Sequence, residues 1–309
     1  MIATVTLNPS VDLRYTLSAF EKNEVYRCNH YQRSAGGKGL NVTRVLRMLG
    51  DHVWATGFLG GTNGGYITQE LEKLGVINQF VQIEGETRNC IAIVTKEPSQ
   101  TEILEQGPMI SEENIELFLN IFETLLEEMD WITASGSLPP GVTKDFYKLL
   151  GEKTRKHGKK FILDTSGESL IHGLDANPFL VKPNKEELEE IFKKRINSVE
   201  QIVDHAKELC HRGAQNVIIS LGEEGAILVN HSIVLKASIP KIDVVNSVGS
   251  GDSMIAGYLH ALAKGESMAE SLKFACAAGT ANALEEETGK VNPETLKALL
   301  EKIWIYELK

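Results

Sequence analysis

The sequence predicts an α/β fold: a mostly parallel sheet covered by helices on both faces, with a small β-sheet lid. Three observations predict it. Short apolar runs alternate with helical patterns along most of the chain, as strands and crossover helices do. Two stretches, 11–35 and 88–104, break that rhythm with loose polar–apolar alternation and read as exposed strands, a separate small sheet or plain surface hairpins. No repeat, low-complexity tract or long linker divides the 309 residues, so a single domain over 1–309 is expected, with 11–35 and 88–104 as its lid.

The elements follow in order. Residues 1–7 read as a buried strand that ends at the turn signal Asn8-Pro9-Ser10. Val11, Leu13, Tyr15 and Leu17, then Val25, Arg27, Asn29 and Tyr31, suggest strands with one polar face. Gly36-Gly37-Lys38-Gly39 leads into a helix with Val42, Val45, Leu46 and Leu49 on one side, closed by Gly50. A strand at 53–59 and a helix at 65–74 come next. Residues 88–95 and 101–104 read as exposed strands around a Pro98-Ser99 turn, and Ser111 opens a capped helix over 111–129. Strands at 131–134, 161–163, 179–181 and 217–220 alternate with helices at 146–157, 184–192 and 199–212. A hairpin at 226–229 and 233–237 precedes helices at 252–264, 268–286 and 293–303.

Composition narrows the function. A formal net charge of −10 argues against a general nucleic-acid or membrane-surface binder. No apolar run approaches membrane-spanning length and no leader pattern opens the chain, so a cytoplasmic protein is expected. Cys28, Cys90, Cys210 and Cys276 lack CxxC spacing and read as reduced thiols rather than a disulfide frame or zinc site.

The most informative stretch is Asn246-Ser247-Val248-Gly249-Ser250-Gly251-Asp252-Ser253, where the extended apolar run 242–245 hands over to a helix. Glycines at a helix start leave N–H groups free and let a ligand approach, which makes an anion site. An aspartate would repel a resting phosphate there; it makes sense as a base that takes a proton from a hydroxyl attacking phosphorus. The plainer reading is a glycine turn with Asp252 as helix cap.

Other clusters also fall just after predicted strands, where ligands bind in such sheets. Asp12 can accept hydrogen bonds from sugar hydroxyls, or serve only as a turn residue. Gly37 and Lys38 suit an anionic or polyhydroxyl ligand, or a tight turn with a solvated lysine. Arg88 can grip a phosphate, or sit solvated on its strand. Ser137 lies in the loop 135–141 at the same edge. Asn184 and Glu187 match a capping box, and alternatively help hold hydrated magnesium near a nucleotide. Residues 220–225 form a hairpin turn or lie along that nucleotide.

In order and spacing, Gly36-Gly37-Lys38-Gly39 with Asn41, Asn184-x-x-Glu187 and Gly249-Ser250-Gly251-Asp252 resemble the PfkB/ribokinase family of carbohydrate kinases over residues 4–289. Residues 4–10, 87–93 and 101–108 resemble its hexose-phosphate branch, the tagatose-6-phosphate kinases above all and also the 1-phosphofructokinases. The resemblance implies a ribokinase-like fold and an ATP- and Mg²⁺-dependent kinase with Asp252 as base and Gly249, Ser250 and Gly251 as anion hole. It implies that Asp12, Gly37, Lys38 and Asn41 hold the sugar, and that Lys38 and Arg88 face the phosphate already on it. Ser220, Gly222, Gly225 and Asn282 would border the nucleotide, and lid pairing between two subunits would make a homodimer. Asn246-Ser247 stands where much of the family has Asp-Thr, which puts a monovalent-cation site in question.

The substrate expected first is tagatose 6-phosphate, then fructose 1-phosphate, then fructose 6-phosphate. A catalytically dead sugar-phosphate sensor would have lost Asp252, and a dinucleotide-dependent oxidoreductase would show GxGxxG after the first strand, where Asn8-Pro9-Ser10 stands.

Overall fold

The computed structural model describes residues 1–29, 31–95 and 100–308. In chain order come β1 (Ile2–Thr6), β2 (Ser10–Leu17), β3 (Tyr31–Gly36), α1 (Lys38–Met48), β4 (Val53–Gly60) and α2 (Gly61–Lys73). Next are β5 (Ile77–Asn78), β6 (Val81–Ile83), β7 (Arg88–Thr95), β8 (Gln100–Leu104), α3 (Glu112–Glu128), β9 (Trp131–Ser135) and α4 (Phe146–Lys156). β10 (Lys160–Asp164), α5 (Gly167–Leu174), β11 (Leu180–Val181), α6 (Lys185–Phe192), α7 (Val199–His211) and β12 (Asn216–Ser220) continue the alternation. The chain closes with β13 (Ala226–Asn230), β14 (Val234–Ser238), α8 (Ser250–Ala263), α9 (Met268–Ala283), α10 (Pro293–Leu300) and β15 (Trp304–Glu307).

The large sheet runs β15-β14-β13-β12-β11-β10-β9-β1-β4-β5, with β6 also on β4. It is parallel from β12 through to β5 and antiparallel from β12 out to β15. Both faces are covered, which is why its strands read as apolar runs. In β10, Phe161 and Leu163 pack with α3, α4 and α7 on one face, while Ile162 packs with α1, α8 and α9 on the other. The order reverses at β1: β4 lies on one side of it and β9 on the other. A ligand crevice is expected beyond the carboxyl ends at such a point.

A second sheet, β3-β2-β7-β8, stands apart. β2 and β7 pair in parallel with Ser10 opposite Arg88, and β2 pairs with β3 with Ser10 opposite Gly36. Its strands come from the two stretches that broke the α/β rhythm, two from each. Its outer strands expose apolar side chains: Tyr31 is 61% and Ile103 53% accessible.

Several boundaries differ from the sequence reading. Residues 18–29 form no strand, and the extended run 242–245 is irregular and exposes Val244 and Val245. Helix α2 starts at Gly61, four residues early, because the Glu86 carboxylate accepts from the N–H groups of Thr62 and Asn63 and caps a glycine-rich start. The last helix stops at Leu300, and β15 follows as an edge strand on β14. Helix α5 was not foreseen. The expected Pro98-Ser99 turn lies outside the described residues. Among the described residues, no helix is long and apolar enough to cross a membrane.

Candidate active site

A cavity of about 1250 Å³ opens where β1, β9 and β10 end, between the large sheet and the inner side of the small one. Drug-sized ligands fill roughly 300–1,000 Å³, so this cavity has room for two. Asp12, Gly37, Lys38, Asn41, Arg88, Ser137, Asn184, Glu187, Ser220, Gly222, Gly225 and Gly249 to Asp252 all line it. Seven separate segments thus converge on one space.

Asp252 stands in the first turn of α8, 6% accessible. Gly249 caps that helix with φ +80°, and a Cβ there would meet Thr288 Cγ2 at 2.7 Å, so both backbone and space call for glycine. Asn282 is fully buried behind this turn. Its amide donates to Val248 O at 2.8 Å and Ser250 Oγ at 3.3 Å and accepts from Gly289 N at 2.8 Å. Asn282 is not among the cavity-lining residues; its side chain braces the turn from the rear, as buried polar groups take the partners nearest to them.

Asn41 Nδ2 donates to Asp252 Oδ2 at 2.7 Å. Burial and then the negative charge of Asp164 push Asp252 up to about 6, against the pull of Lys38, the Asn41 hydrogen bond and Lys182. A carboxylate so placed ionises near neutrality and holds a proton more strongly than an exposed one, as a general base needs.

Sequence reasoning missed two members of this cluster. Asp164, at the end of β10, is 1% accessible, and neither of its oxygens has a hydrogen-bond partner. Lys182, also buried, has its ammonium 3.8 Å from Asp164 Oδ1 and about where a Cβ on Gly251 would press. The signal for Asp164 was a carboxylate directly after a buried strand, the same one that singled out Asp12.

Lys38 Nζ is 3.6 Å from Asp164 Oδ1 and 3.9 Å from Glu187 Oε1. The Asp164 charge, opposed by burial, raises its proton affinity. The Lys38 ammonium thus lies among the carboxylates near Asp252. Arg88 remains at the other end. Its Nε and Nη2 donate to Asn8 O at 3.2 and 3.1 Å and its Nη1 to Glu105 O at 2.8 Å, which leaves one N–H on each terminal nitrogen. Asn8 Nδ2 donates to Ser137 Oγ at 3.1 Å, which sets Ser137 beside this group.

Asp12 is raised by burial and steadied by Ser10 Oγ, which donates to Oδ1 at 2.6 Å. A Cβ on Gly36 would fall 2.0 Å from its Cγ, so only glycine leaves room for that carboxylate. The Asn184–Glu187 capping box is formed, with Glu187 N donating to Asn184 Oδ1 at 2.7 Å and Asn184 N to Glu187 Oε2 at 2.9 Å. Glu187 Oε1 is left over, facing Lys38. Among the described residues, no group of three His, Cys, Asp or Glu side chains forms a ready metal centre.

A buried carboxylate on an anion-binding helix start, cations beside it, and room for two ligands define a phosphotransferase site. The family model for pfkB family carbohydrate kinases matches residues 5–295. A Staphylococcus aureus protein provisionally described as a phosphofructokinase is 33% identical, with TM-score 0.85, over 100% of this chain and 99% of that one. One from Thermotoga maritima, provisionally described as a 1-phosphofructokinase, is 28% identical with TM-score 0.91 over 100% and 99%. Phosphofructokinase-2 from Escherichia coli, solved with fructose-6-phosphate, is 27% identical with TM-score 0.88 over 97% and 98%; it has also been solved with potassium and as a tetrameric inhibited form. The chain belongs to the pfkB family of carbohydrate kinases and has the ribokinase-like fold. It is a phosphotransferase that takes a sugar hydroxyl as acceptor.

Proposed function

We propose that the chain transfers the terminal phosphoryl group of ATP to a ketohexose phosphate, tagatose 6-phosphate before the fructose phosphates. The observation that carries it is the buried Asp252, oriented by Asn41 and sharing one cavity with Arg88. In this reading Arg88 and Ser137 receive the phosphate already on the sugar, and Asp12, Gly37 and Asn41 its hydroxyls. Asp252 takes the proton of the attacking hydroxyl as its oxygen bonds to phosphorus. The N–H groups of Gly249 and Gly251 and the positive end of α8 meet the charge on the transferring group, while Ser250 N donates to Ser247 O at 3.2 Å and holds the turn; Lys38 adds an ammonium close by. ADP leaves along Asn184, Ser220, Gly222 and Gly225, with Asn282 holding the turn.

A magnesium ion fits the donors present: Asp164 has two buried oxygens without hydrogen-bond partners, Oδ1 beside the Lys38 and Lys182 ammoniums, and Glu187 has one oxygen outside its capping box. These are hard oxygen ligands suited to a hydrated cation; when bound, the ion would neutralise nucleotide phosphates. A monovalent cation near Asn246 has less room. The Asn246 amide donates to Glu286 O at 3.1 Å and Thr288 Oγ1 at 3.2 Å, taking up acceptors there.

The names of the similar structures favour a fructose phosphate as a second reading. A coupled ADP-release assay over tagatose 6-phosphate, fructose 1-phosphate, fructose 6-phosphate and ribose separates them. The highest kcat/KM is expected on tagatose 6-phosphate; a fructose phosphate ahead of it transfers the assignment, and turnover of ribose alone removes the phosphorylated acceptor.

The reading treats 1–309 as one catalytic unit, with 11–35 and 88–104 as its lid. The apolar side chains exposed on the small sheet suit pairing with a second copy's lid. A dimer by light scattering at micromolar concentration is expected, and a fully active monomer would discard that pairing.

A further inference from the structure

We propose that Arg44 is a positioning residue for phosphoryl transfer, which acts through Asn41 on the Asp252 carboxylate. It is not among the residues that line the cavity. It lies one helical turn after Asn41 on α1, on the same helix face. Its Nη2 donates to Asn41 Oδ1 at 2.6 Å, while Asn41 Nδ2 donates to Asp252 Oδ2. An amide has one accepting and one donating end. With the guanidinium on the oxygen, the donating end must face Asp252; the flipped amide would set NH₂ against a cation and oxygen against a carboxylate. Arg44 therefore dictates the orientation that Asn41 presents to the base.

The same guanidinium ties this pair to the walls of the site. Nη2 also donates to Thr288 O at 2.7 Å, and Nη1 donates to Ala35 O. Ala35 is the penultimate residue of the small-sheet strand β3, directly before Gly36 and Gly37. Thr288 backs Gly249, the cap of the anion turn. One half-buried side chain thus holds the sugar-side loop, the hydrogen-bond donor to the base and the rear of the phosphoryl cradle in a fixed relation. Arg44 gives up hydration to do so, opposed by the favourable charges of Asp12, Asp252 and Glu287. A lysine could replace one of these contacts, but not the planar fork that makes three.

The inference rests on the kinase reading, and wild-type turnover, measured first, tests that reading separately. The test compares Arg44→Gln and Arg44→Lys, each alone and combined with Asn41→Ala. Rates are expressed per ATP-binding site from calorimetric titration, so incompletely folded preparations still report. Arg44→Gln is expected to lower kcat roughly 10- to 100-fold, the scale of a small misplacement of reacting groups, with KM for ATP within about threefold. Arg44→Lys is expected to fall between. In the Asn41→Ala background, either substitution is expected to cost less than about threefold, because the link it acts through is gone. Equal losses in both backgrounds would make Arg44 a structural tie only and overturn the proposal, as would an unchanged kcat. If Arg44→Gln does not fold, the two Arg44→Lys measurements decide by the same criterion.

Discussion

Replacement of Asp252 by asparagine is expected to lower kcat by roughly 10²–10⁴-fold, the usual contribution of a general base, with KM for both substrates little changed. Asparagine keeps the shape and can still accept from Asn41 Nδ2 at the position now held by Oδ2. What it loses is the capacity to take a proton. The pH profile checks the same assignment. Asp252 is held up at about 6, chiefly by burial, so its ionised, competent form prevails above that pH and is lost as pH falls through it. The wild-type kcat/KM should therefore decline on the acid side with a midpoint near 6 and approach a tenfold loss per pH unit, and the asparagine variant should lack that limb. A variant with near-normal kcat takes Asp252 out of the chemistry.

Arg88→Ala is the second large effect. A desolvated arginine–phosphate pair broken on one side costs about 2–5 kcal/mol, roughly a thirtyfold to several-thousandfold rise in KM for the sugar phosphate, with KM for ATP nearly constant. Arg88 also donates to the carbonyls of Asn8 and Glu105. The exposed Glu105 carbonyl can turn to water, but stranding the carbonyl of the buried Asn8 adds about 1–3 kcal/mol of destabilisation, so the thermal midpoint should fall too. Arg88→Lys should recover part of the KM and little of the stability, since an ammonium cannot span both carbonyls. A variant with lower stability but unchanged sugar-phosphate KM would leave Arg88 as a pin between the small sheet and the first strand, and nothing more.

The fold was legible where periodicity and punctuation agreed. Ser111 caps α3 through Asn114 N, and the Asn184–Glu187 box opens α6, both as their sequence patterns announced. The run 242–245 does not serve a strand: Ile242, Asp243 and Val244 line the cavity wall, and Val244 and Val245 are exposed. Helix α5 has only Leu170 and Leu174 to mark its buried side, and β15 needs β14 beside it to exist. At the site, residues that follow strands or open helices were found from local pattern. Arg44 was not, because its role is set by three acceptors at 35, 41 and 288, which only the folded chain gathers. Lys182 and the rear position of Asn282 depend likewise on long-range packing.

The wall of the large cavity has a consequence for encounter rather than for chemistry. Six lysine and arginine side chains line it against eight aspartates and glutamates, in a chain of net charge −10. Both substrates are polyanions. The long-range field thus does not funnel them inward, as a basic groove would, and capture depends on contacts made after arrival, at the anion turn and Arg88. Salt screens far interactions over about 8–10 Å but buried ones much less. Raising ionic strength should therefore leave kcat/KM level or lift it, whereas an electrostatically steered enzyme slows steeply.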